Sequence, residues 1–128
     1  MSQEYKMHHS CIRVMDLDRS LEFYKKAFGF KVARKNDFPD DKFTLVFLED
    51  ATGNFSLEIT YNYDQEESYT IGNGYSHLAV AVSDVKDSYQ RHKEEGFNIG
   101  NMHSLSEDSA GFYFITDPDD YDIEVIQR

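Results

Sequence analysis

The chain has 128 residues, 40% of them apolar and 15% aromatic, enough to build one packed core and to exclude wholesale disorder. Thirteen basic against twenty-four acidic residues leave a formal charge of −11, which argues against nucleic acid and anionic membranes as partners. No apolar run approaches the roughly 20 residues of a membrane span, the start MSQEYKMHHS has no signal-peptide pattern, and the lone Cys11 fits a reducing, cytoplasmic setting.

His9-Ser-Cys-Ile-Arg-Val14 reads as a first strand, with Asp16 close behind it. Asp16 or Asp18 can cap a helix whose Leu21, Tyr24 and Phe28 share one stripe and which stops at Gly29-Phe30. Strands are expected over 30–35 and 43–48, separated by the turn-like Asp37-Phe38-Pro39-Asp40-Asp41, and again at Leu57-Glu58-Ile59. After a polar, acidic connector the pattern starts again: His77-Leu-Ala-Val-Ala-Val82-Ser-Asp84 repeats the order His, Val five on and Asp seven on, 68 residues later. Asp84 caps a second helix with Val85, Ser88, Tyr89 and His92 on one stripe, and Gly96-Phe97 ends it. Strands over 99–105 and 112–116, the turn Asp117-Pro118-Asp119-Asp120 and a last strand around Ile123-Glu124-Val125 complete the second half. The chain therefore reads as one α+β domain of two tandem βαβββ modules, module one about 7–62, connector about 63–73 and module two about 74–128.

Strand side chains alternate faces, and that alternation sorts the polar residues. With Ile12 and Val14 turned to the helix, His9, Cys11 and Arg13 take the opposite face. The same parity puts His77 opposite Leu78, Val80 and Val82, Glu58 opposite Leu57 and Ile59, and Glu124 opposite Ile123 and Val125. Two imidazoles and two carboxylates on the faces away from the helices need a reason, because unpaired carboxylates are costly there. They form a donor set for a divalent metal such as Zn, Ni, Co or Fe. Each residue alone has a plainer reading, a structural histidine or a solvated glutamate; the repetition of the pattern favours the metal. His8 lies on the wrong parity, His92 reads as solvated beside a helix C-terminus, His103 as a surface residue and Cys11 as a buried filler.

The duplicated unit with a His and a Glu in each half resembles the vicinal oxygen chelate superfamily, and within it glyoxalase I. The stretches that carry this are His9-Ser-Cys-Ile-Arg-Val, Asp18-Arg-Ser-Leu-Glu-Phe-Tyr, Asp37-Phe-Pro, Lys42-Phe-Thr-Leu-Val-Phe-Leu, Leu57-Glu-Ile-Thr-Tyr-Asn-Tyr, Tyr75-Ser-His-Leu-Ala and Asp117-Pro-Asp-Asp-Tyr-Asp-Ile-Glu. They run in order over nearly the whole chain. The resemblance implies curved mixed sheets around a metal cleft with helices outside, and His9, Glu58, His77 and Glu124 as metal ligands shared across a homodimer. It implies a hemithioacetal of methylglyoxal and a thiol, usually glutathione, isomerised to an S-lactoyl thioester through an enediolate, with Glu124 and Glu58 moving the proton. Arg13 and Asn62 match positions that contact the thiol, while Phe38, Leu45 and Phe47 match an apolar pocket and are equally explained by core packing. The chain is short beside many zinc-type members, which points to nickel or cobalt. It departs from the family at Asp120, where Gly is usual, and at Glu107 and Asp108, where many relatives hold the thiol's carboxylate with Lys or Arg; another thiol stays open.

Other functions on the same fold stand as alternatives: an epimerase, a thiol transferase, an extradiol dioxygenase, or a non-enzymatic drug-binding resistance protein. The dioxygenase and the transferase usually employ three protein ligands, and the binding protein leaves the four-residue set without a purpose.

Overall fold

The computed structural model describes residues 3–104 and 110–128; the acidic positions Glu107 and Asp108 lie outside the described residues. The chain divides into two compact units, Met1–Tyr69 and Thr70–Arg128.

The first unit contains β1 (His9–Val14), α1 (Leu17–Phe28), β2 (Lys31–Phe38), β3 (Phe43–Glu49) and β4 (Ser56–Asn62). Asp16 starts α1: its extended backbone turns the carboxylate onto the Arg19 N–H at 3.0 Å, satisfying one of the donors a helix start leaves open. Gly29 ends it at φ 73°, a left-handed conformation in which glycine has no Cβ to clash. The buried stripe is Ser20, Phe23, Tyr24 and Ala27, with Leu21 and Phe28 only half-buried. The stripe is rotated from the expected Leu21, Tyr24 and Phe28, with the small residues Ser20 and Ala27 on its fully buried line. The sheet order is β1-β4-β3-β2, parallel between β1 and β4 and antiparallel elsewhere, and Ile12, Val14, Val46, Leu48, Leu57 and Ile59 form the buried face. β2 runs through to Phe38, so the expected turn begins only at Pro39.

The second unit contains β5 (His77–Val82), α2 (Val85–Glu94), β6 (Phe112–Thr116) and β7 (Asp122–Gln127). Its sheet order is β5-β7-β6, again parallel between the first and last strands. The Asp84 carboxylate accepts from the Asp87 N–H at 3.0 Å and caps α2. The strand expected over 99–105 is reduced, among the described residues, to the isolated bridges Ile99↔Ile115 and His103↔Phe112. Asn98, Gly100 and Asn101 explain this, since Gly and Asn pack poorly on a pleated surface. His92 corrects another expectation: it is 1% exposed rather than solvated. Its Nδ1 lies 2.7 Å from the Tyr113 hydroxyl, which lies 2.6 Å from the Ser88 hydroxyl, and Nε2 lies 3.0 Å from Arg91 Nη2. The imidazole completes a buried polar chain under α2, and burial pushes the Tyr113 phenol above its usual range. No described helix is long and apolar enough to cross a membrane.

Candidate metal centre

In the first unit, pairing aligns side chains into rows across the face away from α1. Cys11 on β1 pairs with Glu58 on β4, Glu58 with Phe47 on β3, and Phe47 with Arg34 on β2. The next row is Arg13, Thr60, Leu45 and Asn36, and beyond it Asn62, Phe43 and Phe38. His9 stands two residues before Cys11 on the same face, and its Nε2 lies 3.7 Å from Glu58 Oε1. Phe47 meets the His9 ring edge to face at 5.4 Å between centroids and limits its rotation. His9 Nδ1 is 2.7 Å from His8 Nδ1; with the proton on His9 Nδ1, the Nε2 lone pair faces Glu58.

The second unit repeats the arrangement. Ala79 on β5 pairs with Glu124 on β7, and Glu124 with Phe114 on β6. His77, two residues before Ala79, places Nε2 at 3.6 Å from Glu124 Oε1 and meets Phe114 edge to face at 5.2 Å. Its Nδ1 lies 2.7 Å from the Ser76 hydroxyl, which fixes the ring from behind; Ser76 is a partner the sequence pattern did not single out.

Each Nε2–carboxylate gap is longer than a hydrogen bond, so imidazole and carboxylate stand side by side without bonding to each other. The glutamates are mostly covered and the imidazoles a third or so exposed, so the pairs are reachable but hold their carboxylates against an apolar ring. The donor chemistry of each pair, one imidazole and one carboxylate, suits a borderline divalent ion. Among the described residues no group of three or more His, Cys, Asp or Glu gathers, and each unit presents one His–Glu pair.

The remaining expected site residues fall as follows. Arg13 is exposed on the ligand face of β1. Asn62 donates from Nδ2 to the Tyr69 hydroxyl at 3.0 Å. Leu45 is half-buried and Phe47 buried, both on the ligand face, while Phe38 is 38% exposed and stacks on Phe43 at 4.8 Å. Cys11 is exposed, not a buried filler; its Sγ lies 3.2 Å from the Thr60 hydroxyl, and partial burial of the thiol outweighs that bond and raises its pKa. Arg34 was not anticipated. Counted from half-exposed Val32, whose partner Leu48 is buried, it belongs on the helix side, but the pairing slips between Val32 and Arg34 and turns it onto the ligand face.

A family model described as the glyoxalase/bleomycin resistance protein/dioxygenase superfamily matches residues 6–125. The chain is similar to the lactoylglutathione lyase of Neisseria meningitidis serogroup B, 37% identical over 126 residues that cover 96% of this chain and 91% of that one. It superimposes on the crystal structure of glyoxalase I from Zea mays with a TM-score of 0.86 and 40% identity, covering 96% of this chain and 44% of that longer one. The trypanothione-dependent glyoxalase I of Leishmania major superimposes with a TM-score of 0.82 and 41% identity, covering 97% of this chain and 87% of that one.

Proposed function

The chain belongs to the glyoxalase/bleomycin resistance protein/dioxygenase superfamily, and on that premise we propose that it is a divalent-metal glyoxalase I acting on the hemithioacetal of methylglyoxal and a thiol. It is a lyase of the lactoylglutathione lyase class. The observation that carries the metal-site reading is the repeated His–Glu–Phe arrangement, once in each unit, at nearly equal His–Glu separations of 3.7 and 3.6 Å.

His9, Glu58, His77 and Glu124 hold the ion, with nickel or cobalt favoured over zinc; two imidazoles and two carboxylates suit all three. The ion, when bound, supplies positive charge to the adjacent oxygens of the substrate. Glu124 takes the proton from the hemithioacetal carbon and returns it to the neighbouring carbon, and Glu58 serves the opposite side. Hydrogen moves within one molecule, so no external oxidant or reductant is needed. Leu45, Phe47 and Phe38 offer an apolar surface beside the reacting carbons, and Arg13 and Asn62 contact the thiol moiety, glutathione in the first instance.

We place the complete site across a homodimer, His9 and Glu58 from one protomer facing His77 and Glu124 of the partner subunit. The cytoplasm, where thiols stay reduced, is the matching compartment.

The test is the metal-free protein reconstituted separately with Ni, Co and Zn and assayed on methylglyoxal pre-equilibrated with glutathione. Glu124→Gln and Glu58→Gln should each lower turnover by roughly a hundredfold or more. Mixing these two inactive variants should restore activity, because one of the two sites in a mixed dimer then carries all four ligands. Absence of stoichiometric metal would refute the reading, and absence of restoration would refute the shared site.

A further inference from the structure

The ligand face of the first unit carries a cation whose place the activity has not accounted for. Arg34 stands in the row Cys11, Glu58, Phe47, Arg34, two strands from Glu58 and so about 10 Å away between backbones. Its guanidinium carbon lies 4.4 Å from the centroid of the Phe47 ring, whose edge-to-face partner is His9. The ring attracts the cation through its negative face but accepts none of the five N–H donors in the way a carboxylate would. Among the described residues no carboxylate pairs with Arg34, although acidic residues outnumber basic ones twenty-four to thirteen in the chain.

Two features make this more than a surface arginine. The slip in pairing between Val32 and Arg34 spends a strand irregularity to turn the side chain from the helix side to the ligand face. Among the described residues the second unit has no equivalent: the partners of Glu124 in its row are Ala79 and Phe114, and its strands place Asp122 on the ligand face. On the ligand face of the first unit Arg13 stands on one edge strand and Arg34 on the other, on either side of Glu58, while Lys31, in the row of Glu49, Ser56 and His9, is paired opposite a carboxylate-bearing residue.

The geometry points to Arg34, seated on Phe47, as a binding residue for a carboxylate of the thiol co-substrate, at the opposite end from Arg13. The inference rests on the lyase reading above and specifies its substrate: a peptidic thiol with a carboxylate at each end, held across the sheet so that its sulfur lies over Glu58. A planar fork over a ring is suited to a carboxylate and less replaceable by lysine than a simple point charge is.

The experiment compares the wild-type holoenzyme with Arg34→Gln and Arg34→Lys on hemithioacetals of methylglyoxal made with glutathione, its glycine monoethyl ester and its diethyl ester. With glutathione, Arg34→Gln should raise KM about tenfold or more and leave kcat within twofold, the expectation for a lost charge-assisted hydrogen bond; Arg34→Lys should recover part of the loss. The penalty should vanish when the carboxylate is masked, on the monoester if Arg34 holds the glycine end and only on the diester if it holds the γ-glutamyl end. A penalty that persists on the diester, or a fall in kcat at unchanged KM, overturns the assignment; the latter would mean that Arg34 acts through Phe47 on His9. Calorimetric binding of S-methylglutathione separates the two hypotheses: Arg34-dependent binding in a protein without lyase activity would keep this seat and remove the lyase reading. An active enzyme in which Arg34→Gln changes nothing would do the reverse.

Discussion

Removing one hydroxyl under α2, by Tyr113→Phe, tests the finding that His92 is an internal structural group. Tyr113 is 0% exposed, and its hydroxyl joins His92 Nδ1 at 2.7 Å to Ser88 Oγ at 2.6 Å. The substitution keeps the ring and its edge-to-face contacts with Tyr89 and His92, so it deletes two hydrogen bonds with little change in packing. Each bond contributes about 1 kcal/mol net, and the partners left behind are themselves 1% and 8% exposed, beyond easy reach of replacement water. The expected cost is therefore about 2–3 kcal/mol. With an unfolding entropy of ~2.1 cal/mol/K per residue, a chain of this length melting as one unit should lose about 7–11 °C in Tm. Urea denaturation and thermal melts at one fixed protein concentration measure it, since association would otherwise shift the midpoint. His92→Leu in the Tyr113→Phe background should cost about 1 kcal/mol less than alone. A loss below about 0.5 kcal/mol, or strictly additive effects, would show that the buried chain does not support the helix as argued.

The acid side of the stability curve should depend on Asp37. The Tyr63 hydroxyl donates to its carboxylate and Thr44 Oγ1 donates at 2.8 Å, and together they hold it below the usual range. A depressed folded value means that the contribution is fully present above the unfolded value near pH 4 and lost as pH falls through the folded value. The gap in urea midpoint between wild type and Tyr63→Phe should hold at pH 5–7 and close toward pH 2; a gap that widens in acid would contradict this. Lys42 and Asp120 both adopt left-handed backbone, φ 61° and 69°. Lys42→Gly should stabilise by about 0.5–1 kcal/mol and Asp120→Gly by less, because aspartate tolerates that region better than lysine. Equal effects in chemical denaturation would refute the distinction.

Much of this protein was legible in local pattern. Asp16 and Asp84 are helix caps, and the period of two places His9, Glu58, His77 and Glu124 on the faces away from the helices, because both signals arise from backbone geometry within a few consecutive residues. Tertiary structure decided the rest. Glu58 faces His9 because β4 lies parallel to β1 with Cys11 against Glu58, a register that joins segments far apart in the chain. Among the described residues the stretch after Ile99 makes only isolated bridges, and His92 goes inward because Tyr113 and Ser88 can satisfy it there. Arg34 reaches the ligand face only through a slip against β3, which its own alternation with Val32 contradicts. Alternation is a property of a single strand and can be read from sequence; register, bulges and the burial of a polar side chain depend on which distant partner arrives beside it, and only the folded chain supplies that partner.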